Sequence, residues 1–185
     1  MFQPRDIPNL ISAVRILLTI PVVYFLLQRE YGTALVLFTL AGVSDGLDGY
    51  LAKHYHWQSR LGGLLDPLAD KLLLMSSFLV LSATGLIPVW LLMAAICRDL
   101  VILGGAIYYN FMIEEVQPAP TLASKLNTLL QILLVILVMV DAGPLPLPGV
   151  LIEALQWLLL ATILISGVHY VAVWSRKAMR AGSRQ

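Results

Sequence analysis

Charge is what this chain has least of. Asp, Glu, Lys and Arg make up 12% of its 185 residues and hydrophobic residues 59%, whereas a soluble domain carries roughly 25% charged residues. Too little polar surface exists to face water on every side, so the chain belongs in a bilayer. Cysteine is nearly absent. Cys97 stands alone, which excludes an intramolecular disulfide, and its place in an apolar run reads as small-residue packing. The net charge of +1 says little about partners, and nucleic acid is not expected among them. A removable signal peptide is not expected either: the first apolar run is broken by Arg15 and Pro21 and has no small-residue cleavage site.

Long apolar runs are what the chain has instead. They cover roughly residues 10–27, 33–52, 63–83, 87–111, 122–140 and 148–174, each near the ~20 residues that a hydrocarbon core demands. The expectation is an all-α integral membrane protein of six transmembrane helices, forming a single membrane domain over residues 1–185. Residues 1–15 mix proline, charge and apolar positions, which predicts a short interfacial segment before the first span, capped by Asn9 or Ser12. With alternating spans, Arg5, Lys53, Arg60, Lys125, Arg176, Lys177, Arg180 and Arg184 fall on one side and Arg29 on the other. The positive-inside rule then makes both termini, and the loops after spans 2 and 4, cytoplasmic. In a bacterium that places the protein in the inner membrane. Trp57, Trp90, Trp174, Tyr31 and Tyr170 near span ends read as a headgroup-level belt, and His169 as a packed or interfacial side chain. Proline and glycine connectors, DAGPLPLPG and EEVQPAP, carry no site, and no internal repeat stands out.

The chemistry sits between residues 45 and 70, DGLDGYLAKHYHWQSRLGGLLDPLAD. Asp45 and Asp48 are three apart and Asp66 and Asp70 four apart, so on helices each pair shares a face. At the helical rise, Asp48 and Asp66 lie about 6 Å, and Asp45 and Asp70 about 10 to 12 Å, inside the cytoplasmic ends of their spans. Four carboxylates at matching depth repel one another unless a cation lies between them. Oxygen ligands alone favour Mg²⁺, with Mn²⁺ or Ca²⁺ as alternatives, and a cluster of this size can hold two ions that clamp a diphosphate. Gly49, Gly62 and Gly63 clear space near the carboxylates, and Lys53, about a turn past Asp48, is placed to meet a phosphate. A cation transporter with an Asp-lined pathway is the competing class, and a scaffold without chemistry a third. Intramembrane carboxylates are functional by default, which argues against the scaffold.

These residues resemble the signature of the CDP-alcohol phosphotransferases, Asp-x2-Asp-Gly-x2-Ala-Arg-x8-Gly-x3-Asp-x3-Asp. Asp45, Asp48, Gly49, Ala52, Gly62, Asp66 and Asp70 match it at every spacing, and Lys53 stands where the family has arginine. The resemblance implies a six-helix homodimer with its cavity open to the cytoplasm. It implies that Asp45, Asp48 and Asp66 bind two Mg²⁺ or Mn²⁺ ions, and that Asp70 completes the cluster and serves as general base. Gly49, Ala52 and Gly62 would line the cytidine pocket, with Lys53 near the diphosphate. The implied reaction moves a phosphatidyl group from CDP-diacylglycerol to an alcohol and releases CMP.

Charged and polar residues outside the signature suggest the acceptor. Arg15, Arg98, Lys125 and Asn127 could form a positive pocket for an acceptor that carries phosphate, although Arg98 beside Asp99 could instead be a local pair. The stretches IPNLISAVRI, LAGVSDGLDGYLAK, LDPLADKLLL, LIPVW, ICRDLVI and SKLNTLLQI are most similar to the CMP-forming cardiolipin synthase branch. The glycerophosphate-using branch typically has Arg-Glu at the place of Arg98 and Asp99, and a second lysine at the place of Asn127. One fewer positive charge suits phosphatidylglycerol better than glycerol 3-phosphate as acceptor.

Overall fold

A computed structural model describes the backbone of residues 7–54, 62–112 and 122–182, and side chains within 10–44, 68–105 and 122–170. Six helices make up the described residues: α1 Ile7–Leu27, α2 Tyr31–His54, α3 Gly62–Ala83, α4 Val89–Met112, α5 Leu122–Ala142 and α6 Gly149–Gly182. Each coincides with one apolar run.

Two boundaries depart from expectation. α1 is unbroken from Ile7, so residues 7–15 continue the first long helix instead of forming a separate segment, and Asn9 and Ser12 lie inside it rather than capping it. Pro8 falls in the first turn, where a missing N–H costs nothing. α6 extends through Gly182, eight residues beyond the expected 174, because Arg176, Lys177, Ala178, Met179 and Arg180 are good helix formers although three of them are charged.

Three helical segments among the described residues are long and apolar enough to cross a membrane: Leu10–Leu27, Leu122–Ala142 and Gly149–Tyr170. Tyr31–Ser44 is a shorter apolar stretch. α2, α3 and α4 dilute their apolar character with Asp45, Asp48 and Lys53, with Asp66, Asp70 and Lys71, and with Arg98 and Asp99. Large aliphatic side chains stand exposed along the long helices, among them Leu17, Ile20, Leu129, Leu164, Ile165 and Val168. Water would penalise such surfaces and lipid would not.

The chain divides into two compact units. The first comprises Met1–Ile87 and Val135–Leu147. In it α1 packs along both α2 and α3, and Val22, Leu26, Ala34, Phe38, Ala41, Ala69, Phe78 and Leu81 are buried. α1 ends in a tight reversal: Arg29 N–H donates to Leu26 O (3.1 Å) and Glu30 N–H to Phe25 O (2.9 Å), with Arg29 itself at φ 62°. That is a Schellman motif with arginine in the left-handed position usually given to glycine. After α5, Gly143 passes close to the start of α2, so that a Cβ there would lie 3.1 Å from Gly32 N and from Tyr31 Cβ. Asp141 Oδ1 accepts from Leu147 N–H at 2.7 Å and folds the connector back.

The second unit comprises Pro88–Leu134 and Pro148–Gln185. α4 packs on α6, and Leu91, Ala95, Leu130, Leu134, Leu159 and Ile163 are buried. Trp90 and Trp157, both partly exposed, stack with ring centroids 5.5 Å apart. Trp90 keeps the partly exposed place expected of a belt residue and His169 is exposed, whereas Tyr170 is buried and Tyr31 partly so. Trp57 and Trp174 lie outside the described side chains. Cys97 is exposed rather than packed, since it falls two residues from buried Ala95 and so about 200° around the helix from the packed face.

Candidate active site

α2 is helical through Asp45, Asp48, Gly49, Ala52 and Lys53, and α3 through Gly62, Asp66 and Asp70. The helical backbone expected under the motif is therefore in place on both sides of the α2–α3 connection. The side chains of Asp45, Asp48, Ala52, Lys53 and Asp66 lie outside the described residues, as does the structure around Gly49 and Gly62.

Asp70 is the carboxylate whose surroundings are described, and it is tied to another helix. Arg15 Nη1, on α1, donates to Asp70 Oδ1 in an ion pair. The two ends differ sharply in environment: the Arg15 side chain is 0% exposed and that of Asp70 49% exposed. Fifty-five residues separate the partners in sequence, and the packing of α1 on α3 brings them together. A buried guanidinium is costly without a matching acceptor, and Asp70 supplies one. Thr19 Oγ1 donates to Arg15 O at 3.1 Å, on the same stretch of α1. Arg15, expected in an acceptor pocket, is thus a member of the carboxylate constellation.

The chemistry of the donor set fits a hard divalent cation. The four aspartates of the motif would offer oxygen ligands only, and among the described residues no three metal-ligating side chains come together.

A second polar cluster belongs to the second unit. Arg98 donates from Nη1 to Asp99 Oδ1 (2.8 Å), and from Nη2 to Ser124 Oγ (2.7 Å) and Ser166 Oγ (2.8 Å). The local Arg98–Asp99 pair therefore forms, and two hydroxyls from α5 and α6 complete its setting. Asn127 is fully buried, and its Oδ1 accepts from Thr162 Oγ1 at 3.2 Å. Asn127 Nδ2 and Gln131 Nε2 are buried donors without a hydrogen-bond partner among the described residues. Lys125 is exposed. Sequence reasoning passed over Ser124, Gln131, Thr162 and Ser166. Their signal was spacing: Ser124, Asn127 and Gln131 fall at i, i+3 and i+7, and Thr162 and Ser166 at i and i+4, so each set lines one helix face inside an apolar run.

Known proteins share this arrangement of sequence. A "Cardiolipin synthase (CMP-forming)" of Rattus norvegicus is 36% identical over 149 residues, covering 72% of this chain and 49% of that protein. The Homo sapiens protein of the same name is 35% identical over 149 residues, covering 72% and 50%. The chain thus spans about half the length of these relatives. A "CDP-diacylglycerol--glycerol-3-phosphate 3-phosphatidyltransferase" of Aquifex aeolicus is 30% identical over 169 residues, covering 89% of this chain and 93% of that protein. The CDP-alcohol phosphatidyltransferase family model matches residues 5–174, and the chain belongs to that family.

Proposed function

We propose that this protein transfers a phosphatidyl group from CDP-diacylglycerol to a glycerol-type alcohol and releases CMP, with phosphatidylglycerol as the acceptor and cardiolipin as the product. The observation that carries the reading is the spaced carboxylate set on α2 and α3, whose described member, Asp70, is held from α1 by a buried arginine. Asp45, Asp48, Asp66 and Asp70 would hold two divalent ions, Mg²⁺ or Mn²⁺. When bound, such ions neutralise diphosphate charge and ease departure of CMP.

The chain's own residues do the rest. Gly49, Ala52 and Gly62 leave room for the cytidine, and Lys53 meets the diphosphate with a point charge in place of the two-pronged contact of arginine. Asp70 takes the proton from the acceptor hydroxyl, whose oxygen attacks the phosphorus bearing the lipid. Arg98 and exposed Lys125 recognise the acceptor's phosphate, and Asn127, which is fully buried, makes no contact with it. In this reading all six helices span the membrane, the chain works as a homodimer, and the active site and both termini face the cytoplasm, in keeping with the distribution of Lys and Arg. The acyl chains of the donor then stay in lipid while the nucleotide enters from water.

The test is direct. Purified protein in micelles is given CDP-diacylglycerol, Mg²⁺ or Mn²⁺, and phosphatidylglycerol or glycerol 3-phosphate in parallel, and CMP is measured. Faster release with phosphatidylglycerol is expected. Glycerol 3-phosphate is the acceptor printed in the name of the Aquifex aeolicus relative, which this chain nearly matches end to end. Faster release with it would move the protein to that acceptor, and no CMP with either would remove the transferase reading.

A further inference from the structure

Arg15 heads the fully buried side chains by size, and it lies in a helix otherwise dominated by Leu, Ile and Val. At 0% exposure it offers no surface for an acceptor to touch, yet it pairs with a carboxylate that keeps about half of its own surface accessible. The cation is therefore the fixed end of the pair and the anion the working end.

An aspartate on an exposed helix face turns about two soft side-chain torsions. A charge-assisted bond from an immobile, planar guanidinium removes most of that freedom, because its donors point in directions set by the ring of packed neighbours. Proton abstraction has strict demands on direction and distance, and a misplacement of about 1 Å can cost about 100-fold in rate.

We infer that Arg15 is the positioning residue of Asp70: by holding Oδ1 from within the α1–α3 interface, it sets the direction in which the carboxylate meets the acceptor hydroxyl. This rests on the proposed phosphatidyl transfer, in which Asp70 is the base. It assigns α1 a part in the chemistry although α1 carries no residue of the signature motif. It also gives the tight packing of α1 on α3 a function, since any slip between the two helices would move the carboxylate.

The experiment uses the full chain in micelles with Arg15→Lys, Arg15→Met, Asp70→Asn and the double variant Arg15→Met/Asp70→Asn. For Arg15→Met, kcat should fall about 100-fold while KM for CDP-diacylglycerol and for the acceptor each stay within about threefold. Arg15→Lys should recover about tenfold of that loss, since the charge returns without the planar geometry. Calorimetric binding of CDP with Mn²⁺ should be unchanged in Arg15→Met, which a collapsed site would not allow. A raised acceptor KM with kcat preserved would make Arg15 an acceptor ligand and overturn the inference. Loss of CDP binding in step with kcat would make Arg15 merely structural and overturn it too.

Unfolding temperatures of the same variants read the ion pair independently of turnover. The double variant should lose less than the sum of the two single losses. Additive losses would show that no pair forms and overturn the inference, even with the transferase activity intact. Absence of CMP release by the unaltered protein would instead overturn the transfer reading.

Discussion

Replacing Gly85 by alanine should destabilise the protein by about 1 kcal/mol, and replacing Arg29 by glycine should stabilise it by somewhat less, because the two residues occupy the same place in the same turn. α3 ends as α1 does: Gly85 N–H donates to Ser82 O (3.0 Å) and Leu86 N–H to Leu81 O (2.9 Å), repeating the three- and five-residue steps at Arg29 and Glu30. The left-handed residue has φ 81° at Gly85 and 62° at Arg29. A Cβ added at Gly85 meets nothing within 4 Å, so the cost of alanine is conformational, with no clash to inflate it. For an L-residue the left-handed region costs about 1 to 2 kcal/mol, against which alanine returns about 0.4 to 1 kcal/mol by restricting the unfolded chain. The same terms with opposite sign apply at exposed Arg29. For a chain of this length, 1 kcal/mol corresponds to about 2 to 4 °C. Thermal unfolding of the purified variants in one detergent would measure both. A loss above about 3 kcal/mol for Gly85→Ala, or any loss for Arg29→Gly, would refute the reasoning, since neither follows from backbone conformation alone.

Asp66→Asn should abolish CMP release while insertion and unfolding temperature are kept, because the amide preserves shape and removes a charged ligand; turnover equal to that of the unaltered protein would remove Asp66 from the machinery. Lys53→Ala should cut kcat/KM for CDP-diacylglycerol by about tenfold or more, and Lys53→Arg should be tolerated, as a charge-assisted contact to the diphosphate requires. Equal kcat/KM for Lys53→Ala would make Lys53 only an interface lysine with a buried stem. Gln131→Met, which keeps volume and removes the buried, unpartnered Nε2, should raise stability by about 1 kcal/mol, the low end of the penalty for an unsatisfied buried donor. Destabilisation measured by thermal unfolding would mean that the amide is engaged.

Helix positions were legible in the sequence because each helix carries a long apolar run, and five of the six helices both begin and end within a few residues of their run. Hydropathy misses where helix continues without apolarity. The basic end of α6 and the proline-bearing start of α1 are such places, since hydrogen bonding inside a helix is indifferent to what its side chains prefer as solvent. The motif was legible for a similar reason: three- and four-residue spacings are periods of the helix itself, and α2 and α3 are helical through all four aspartates. What was not legible was tertiary. Cys97 follows Ala95 by two residues, and the sequence alone does not say which of the two faces the packed side of α4.

The partner of Arg15 is the instructive case, because burial restricted the choice more than the sequence order did. A guanidinium inside an apolar helix has to find an anion or several hydrogen-bond acceptors. Arg98 meets that demand next door, in Asp99, with Ser124 and Ser166 completing it. Arg15 has no acid within four residues on its own helix, so its requirement cannot be met locally and must be met across a helix contact. α1 packs on α2 and α3, and the acids of those two helices are the four of the motif. The demand of one buried cation, joined to the packing of α1, thus leads to the motif carboxylates without any appeal to function. Among them the structure pairs Asp70, the residue on which the proposed chemistry places the proton transfer.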